Sequence, residues 1–181
     1  MTPSSCNPGP APFTGGVAAQ NAVRANANPA PNPPLNPLCW DATVASRAQS
    51  WANGCNDTHD LSALLALGYG EDLFAVSGDD TATAPVDAVN GDPLFSAGFP
   101  NGWASEAECY NYATNTCATT CNGFPGDCGH YTQIVWRTTQ TVGCGMKLCT
   151  VNSPFGPSFP TWTFVVCDYQ PAGNLNGARP Y

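Results

Sequence analysis

Positive charge is what this sequence has least of. Five of its 181 residues are Lys or Arg, against 13 Asp or Glu, and the formal net charge is −8. The cations stand singly at Arg24, Arg47, Arg137, Lys147 and Arg179. No basic stripe exists to neutralise a phosphate backbone, so no nucleic-acid partner is expected. All charged residues together make up 10% of the chain, where an ordinary soluble domain carries roughly 25%. No apolar run approaches the ~18 residues of a membrane-spanning helix. The chain also lacks H-E-x-x-H and G-x-S-x-G, which removes sequence-level support for a zincin site or a Ser/His/Asp triad. It has no C-x-x-C pair, against a zinc ribbon or a thioredoxin-like site.

Cysteine, glycine and proline are plentiful instead, with 10, 18 and 18 residues. Cys6, Cys39, Cys55, Cys109, Cys117, Cys121, Cys128, Cys144, Cys149 and Cys167 are even in number and read as a disulfide framework that compensates for scarce ion pairs. That reading places the chain in an oxidising, extracellular compartment. Ten cysteines allow about 945 pairings, so spacing does not fix connectivity. Cys144, Cys149 and Cys167, in or beside apolar segments near the end, are expected to staple those segments to something else. Residues 1–6 have neither a basic region nor an apolar stretch, and read as the start of a mature chain whose signal has been removed.

Residues 1–12 form a Pro-rich arm held by Cys6. A helix is expected from Thr14 as N-cap to about Ala27, ended by the Pro-rich residues 28–37. Asp41 caps a second, in which Val44, Ala48, Trp51 and Cys55 share a face and Gly54 marks the stop. Leu61, Leu64, Leu65 and Leu67 make an apolar patch closed by Gly68 and Gly70, and residues 73–76 read as a strand. Residues 77–101 read as the longest irregular loop, with Leu94, Phe95 and Phe99 either packed on the body or open to a ligand. Asn101 is expected to cap a helix bearing Trp103, Glu106, Ala107 and Tyr110. Residues 131–136 fit a helix or a strand, and residues 141–150 and 162–167 read as strands. Helices precede strands, an α+β order rather than alternating βαβ units.

The scarce ionisable residues are the chemical candidates. There are two His, His59 and His130, and three Glu, Glu71, Glu106 and Glu108. Two imidazoles and two carboxylates suffice for a metal site with open positions or for acid/base work. Each is also an ordinary loop or helix-surface residue when taken alone.

Two long motifs sharpen this. Gly129-His130-Tyr131-Thr132-Gln133-Ile134-Val135-Trp136-Arg137, followed by Val142-Gly143-Cys144, resembles the G-H-Y-T-Q-[IV]-V-W signature of the CAP superfamily. That superfamily comprises cysteine-rich secretory proteins, antigen-five allergens and pathogenesis-related-one proteins. Cys167-Asp168-Tyr169-Gln170-Pro171-Ala172-Gly173-Asn174 resembles its second signature, C-x-Y-x-P-x-G-N. Weaker matches are Asn21-x-x-Arg24, Ala48-x-x-Trp51-Ala52, His59, residues 69–73 and Trp103-x-x-Glu106-x-x-x-Tyr110. The resemblance, closest to the pathogenesis-related-one type, implies a secreted, disulfide-braced α+β protein folded as a three-layer α-β-α sandwich over residues 13–170. Residues 171–181 form a tail similar to the P-x-G-N-x5-P-Y peptide of some relatives, read here as an ordered terminal turn.

The resemblance further assigns His59, Glu71, Glu106 and His130 to one cleft, in which the two His hold Zn2+ weakly and reversibly with the carboxylates nearby. Glu108 has no counterpart and reads as a solvated helix face. The expected function is non-enzymatic: a monomer binding a small apolar ligand, sterol or fatty acid, through Phe95 and Phe99 in a defence role. The alternative is a zinc- or His/Glu-dependent peptidase using Glu71, Glu106 and His130. Two departures stand out. Gln20 replaces a His of many relatives, and Asp72 replaces the usual Asn after Glu71, expected to add negative charge beside the cleft. Asn56-Asp57-Thr58 is a glycosylation sequon next to His59.

Overall fold

The structure, a computed structural model, describes residues 6–91, 102–121, 124–125 and 127–181, without the side chains of 121, 124 and 125. Leu94, Phe95, Phe99 and Asn101 lie outside the described residues.

The architecture is set by β8 (Trp162–Gln170), whose nine residues are buried except for the last. Alternate side chains of a strand point to opposite faces, so such a strand needs cover on both sides. Trp162, Phe164 and Val166 join Ala48, Ala52, Cys55 and Cys149 in one core. Val165, Cys167 and Tyr169 join Val17, Val76, Val89, Trp103, Tyr131 and Ile134 in another. β8 lies between β7 (Thr141–Cys149) and β2 (Gly70–Ser77), antiparallel to both. β1 (Cys39–Trp40) adds a parallel edge to β7, giving the order β1-β7-β8-β2.

One helical layer is α2 (Ala42–Ala52), packed on β7 and β8. The other comprises α1 (Phe13–Ala25), α4 (Ala84–Asn90), a 3-10 helix (Trp103–Glu108) and α5 (Gly129–Ile134). The expected three-layer sandwich is therefore present. α3 (Leu61–Leu67) and two small hairpins, β3 (Tyr110–Asn111) with β4 (Thr116–Cys117) and β5 (Thr120–Cys121) with β6 (Phe124–Pro125), are the remaining elements among the described residues.

Two glycines let α2 lie directly on the sheet. A Cβ at Gly143 would fall 2.1 Å from the Ala45 nitrogen, and one at Gly145 2.2 Å from the Gln49 Cα, both backbone atoms that cannot swing aside. The gap they leave lets Gln49 donate to the Met146 carbonyl at 2.8 Å and accept from its N–H at 3.0 Å.

The cysteines pair as Cys6–Cys39, Cys55–Cys149, Cys117–Cys128 and Cys144–Cys167, and Cys109 is disulfide-bonded too. Cys55–Cys149 ties the end of α2 to the end of β7, as expected. Cys144–Cys167 instead links two strands already paired at that register.

Several expectations are corrected. α1 begins at Phe13 with Pro12 as N-cap and no side-chain cap; the Thr14 hydroxyl donates back to the Gly9 carbonyl. The leucine patch is α3, ended by left-handed Gly68, with Leu61 and Leu65 exposed on one side. The supposed irregular loop contains α4, whose Pro85 sits in the first turn, where its missing N–H costs nothing. Tyr110 lies in β3 beyond the 3-10 helix, whose N-cap is Gly102. The N-terminal arm is pinned by Cys6–Cys39 and by Trp40 N–H to the Asn7 carbonyl at 2.9 Å. Asp41 does cap α2, accepting from Thr43 and Val44, and residues 131–134 are helical.

Gly145→Ala is expected to cost about 1–3 kcal/mol by overpacking α2 against β7, read as a fall in Tm of several degrees, whereas Gly156→Ala, with open space at its Cβ, loses only the smaller cost of its positive φ.

Candidate functional site

Each of the two His is held by one of the two buried Glu. His59, in the α2–α3 loop, pairs through Nδ1 with Glu71 Oε1 at 2.9 Å. His130, second residue of α5, pairs through Nδ1 with Glu106 Oε1 at 2.5 Å. Both carboxylates are fully engaged. Glu106 Oε2 accepts the Tyr131 N–H at 3.0 Å, and Glu71 Oε2 is bound by Arg47 Nη1. Among the described residues neither imidazole Nε2 has a partner. His59 is the more open, its side chain 44% exposed against 25% for His130, and the His130 ring stacks on Trp103 with centroids 5.8 Å apart.

The two halves differ in their surroundings. Arg47, projecting from α2, also donates to both Asp168 oxygens at 2.8 and 3.0 Å and lies 3.2 Å from Asp60. Although burial opposes its charge, Glu71 and Asp168 hold its pKa above the usual arginine value. β2 and β8 create this arrangement by register, because Glu71 and Asp168 are direct partners on the face that α2 covers. Arg47, Asp60 and Asp168 were absent from the sequence candidates. Asp168 lies inside the second signature, but nothing in a strand reading marks it as a partner for a helix residue.

On the opposite face of β2, Asp72 is 1% exposed. Burial raises its pKa well above the usual carboxylate range, with His130 pulling the other way and Glu106 and Glu71 adding to the rise. Burial thus works against the negative charge that Asp72 is expected to add beside the cleft. The hydroxyl of Tyr169 is a hydrogen-bond donor to this carboxyl and opposes the rise.

His130 behaves oppositely. Burial alone would lower its pKa, but the hydrogen bond to Glu106 and the surrounding carboxylates outweigh it and raise the value to about 9. The imidazolium–Glu106 pair is the neutral-pH state.

Glu106, Asp127 and His130 form a group whose donor atoms lie within 4.8 Å of one another. Asp127 was not a sequence candidate, because a lone loop Asp before Cys128 carries no metal signal. No such three-donor group includes His59 among the described residues. Glu108 is exposed, as expected. Asn56 is exposed, its amide donating to the Thr58 hydroxyl at 2.9 Å.

The signature residues around His130 are mostly structural. Buried Gln133 accepts from Gly173 N–H and donates to Thr139. Arg24 donates to the carbonyls of Asn36, Ile134 and Trp136. The tail is docked as an ordered segment: Thr132 donates to Asn174, Arg179 to the carbonyls of Tyr112 and Ala113, and Tyr181 stacks on Tyr112 at 4.6 Å. Between tail and body lies a cavity of about 390 Å3, lined in part by Tyr110, Asn115, Asp127, Thr132 and Trp136.

The profile of the Cysteine-rich secretory protein family, CAP, matches residues 17–169. The chain belongs to this family. Pathogenesis-related leaf protein 4 of Solanum lycopersicum is 36% identical over 169 residues, covering 91% of this chain and 80% of that protein. A PR-1 type pathogenesis-related protein of Sambucus nigra is 35% identical, with 91% and 79% covered. Among solved structures, the Schistosoma mansoni venom allergen-like protein 4 superposes with a TM-score of 0.59 at 24% identity, covering 93% of this chain and 90% of that one. NaASP2 with Zn2+ superposes with a TM-score of 0.62 at 23% identity, covering 93% and 84%. These two likenesses establish a shared CAP fold.

Two pH-dependent outcomes follow. With a folded pKa of about 9 against 6.5, the His130–Glu106 pair contributes stability fully present below pH 6.5 and lost as pH rises through about 9. Melting curves across that window should show a decline that flattens in Glu106→Gln. Asp72 carries the opposite sign for a carboxyl: its proton is held in the fold, so stability is lost as pH rises above 3.8. Asp72→Asn is expected to raise Tm at neutral pH, with the gain vanishing in acid.

Proposed function

We propose that this chain is a secreted, defence-type CAP protein that binds its ligand without turning it over. The observation that carries this reading is the closure of both His–Glu pairs. A general base needs a carboxylate or imidazole free to take a proton; of the three residues the peptidase alternative uses, Glu71 and Glu106 have every oxygen already accepting a hydrogen bond, and His130, raised to about 9, already holds its proton at neutral pH. The similarity to pathogenesis-related proteins of Solanum lycopersicum and Sambucus nigra supports the defence role. The disulfide framework supports secretion.

The ligand in this reading is small and apolar, a sterol or fatty acid, taken up by the segment that carries Phe95 and Phe99. The cleft also suits Zn2+ chemically: each imidazole is oriented at Nδ1 by a carboxylate and keeps Nε2 open, the way metal-binding His are commonly held. Such a metal would supply a Lewis acid with exchangeable positions. The peptidase alternative assigned to Glu71, Glu106 and His130 is disfavoured by the same closed pairs.

A labelled-sterol titration of the pure protein tests the reading. Saturable binding, weakened in the double variant Phe95→Ser/Phe99→Ser, is the expected result, together with no turnover of a broad peptide library. Peptide cleavage that disappears in His130→Ala, or no saturable sterol binding, would overturn it.

A further inference from the structure

We propose that the tip of the β7–β8 hairpin, residues 150–161, docks this protein on a lipid surface with neutral headgroups. The docking surface lies away from the cleft and is independent of sterol binding. Glu71 and its partner Asp168 lie six residues along β8 from Trp162 at the hairpin base, about 20 Å away. Docking at the tip therefore leaves the His59–Glu71 pair in water.

Three observations carry the assignment. The first is what the tip displays. Val151, Phe155 and Phe159 are 56, 39 and 55% exposed, and the two Phe are the only exposed aromatic residues among those described. Single exposed apolar residues are ordinary, but these three fall within one turn region. From Leu148 to Cys167 no residue is Asp, Glu, Lys, Arg or His, so no charge has to be desolvated with them. The second is the backbone. Pro154, Pro157 and Pro160 carry no N–H. The N–H groups of Phe155, Gly156 and Phe159 donate to Ser153 Oγ, the Ser153 carbonyl and the Gly156 carbonyl at 3.3, 3.4 and 3.1 Å. The Ser153 hydroxyl donates in turn to the Phe159 carbonyl at 2.5 Å. The third is rigidity. Cys149 at the base is bonded to Cys55, Asn152 donates to the Cys55 carbonyl at 3.1 Å, and Trp162 Nε1 donates to the Val151 carbonyl at 2.8 Å. The rings are thus held out without further ordering cost.

Internal pairing of the tip's backbone selects a lipid phase over a protein partner. Hydrocarbon offers nothing to an open N–H or carbonyl, so a segment that enters it must satisfy its own. Charge selects the headgroup. The chain carries −8 overall, which opposes approach to an anionic surface, and the tip itself contributes nothing to offset this. Lys147, exposed on β7 just before the uncharged run, has a stem long enough to place its ammonium at phosphate level while the tip lies deeper.

The test is co-flotation of the oxidised, full-length protein with phosphatidylcholine vesicles free of sterol and fatty acid, repeated with phosphatidylserine added. Wild type is compared with Phe155→Ser/Phe159→Ser and with Leu61→Ser/Leu65→Ser, which removes the exposed leucines of α3 instead. The expected result is flotation with phosphatidylcholine, weakened about tenfold or more in the Phe double variant, unchanged in the Leu double variant and reduced by phosphatidylserine. Melting curves show whether each variant keeps its fold. Independently of the double variant, Phe159→Trp keeps an apolar ring at the tip, and brominated phosphatidylcholine should quench its added fluorescence. Absence of flotation by wild type, equal flotation of the Phe double variant, loss in the Leu double variant, or an unquenched Trp at 159 would each overturn the proposal. So would self-association in sedimentation that the Phe double variant abolishes while vesicles bind neither protein, since the tip would then seat a second copy of the chain. Sterol titration remains a separate measurement, because no vesicle in this test contains sterol.

Discussion

A strand with no solvent-facing side governs this molecule. Because both faces of β8 are buried along nearly its whole length, helices must cover the sheet above and below, and each helix must bring a surface that fits. α2 fits because β7 offers Gly143 and Gly145 where its backbone comes down. The opposite layer fits because Arg24, itself buried, satisfies the carbonyls at the end of α5 that the packing would otherwise strand. The polar end of β8 follows the same logic. Asp168, on the face beneath α2, is buried beside Glu71, and Arg47 on α2 answers both.

The scarcity of cations acquires a structural meaning. Arg24 serves α5, Arg47 the Glu71–Asp168 pair, Arg179 the tail, and Arg137 the Pro33 carbonyl at 2.9 Å. Lys147 alone is exposed without a polar partner among the described residues. Four of the five cations are committed to contacts within the chain, and the two His–Glu pairs differ chiefly in whether an Arg reaches them.

Much of this could be read from the sequence because the relevant signals are local. The spacing of Val44, Ala48, Trp51 and Cys55 marks α2, the β-branched and aromatic run at 162–167 marks β8, and the long motif names His130. What escaped was either short or non-local. α4 is seven residues rich in alanine with a proline, a composition that reads as loop until tertiary packing supplies its stability. The partners of Glu71 are set by strand register and helix placement rather than by neighbours in sequence. The burial of Asp72, which works against its charge, is likewise invisible in its identity. Asp127 has no local signal, since its proximity to Glu106 depends on how the hairpins fold back before α5.

The disulfide between Cys55 and Cys149 spans 94 residues, and His59, Glu71, Glu106, Asp127 and His130 all fall inside the covalent ring it closes. Tension applied at the two ends of the chain would therefore pass across Cys6–Cys39, through α2, across Cys55–Cys149 and then Cys144–Cys167, bypassing α1, most of β8 and the part of the ring that carries those residues. The site's residues would stay tethered to one another even after the sheet had been pulled apart, and a relaxing chain would search for their contacts within a loop rather than along an open thread.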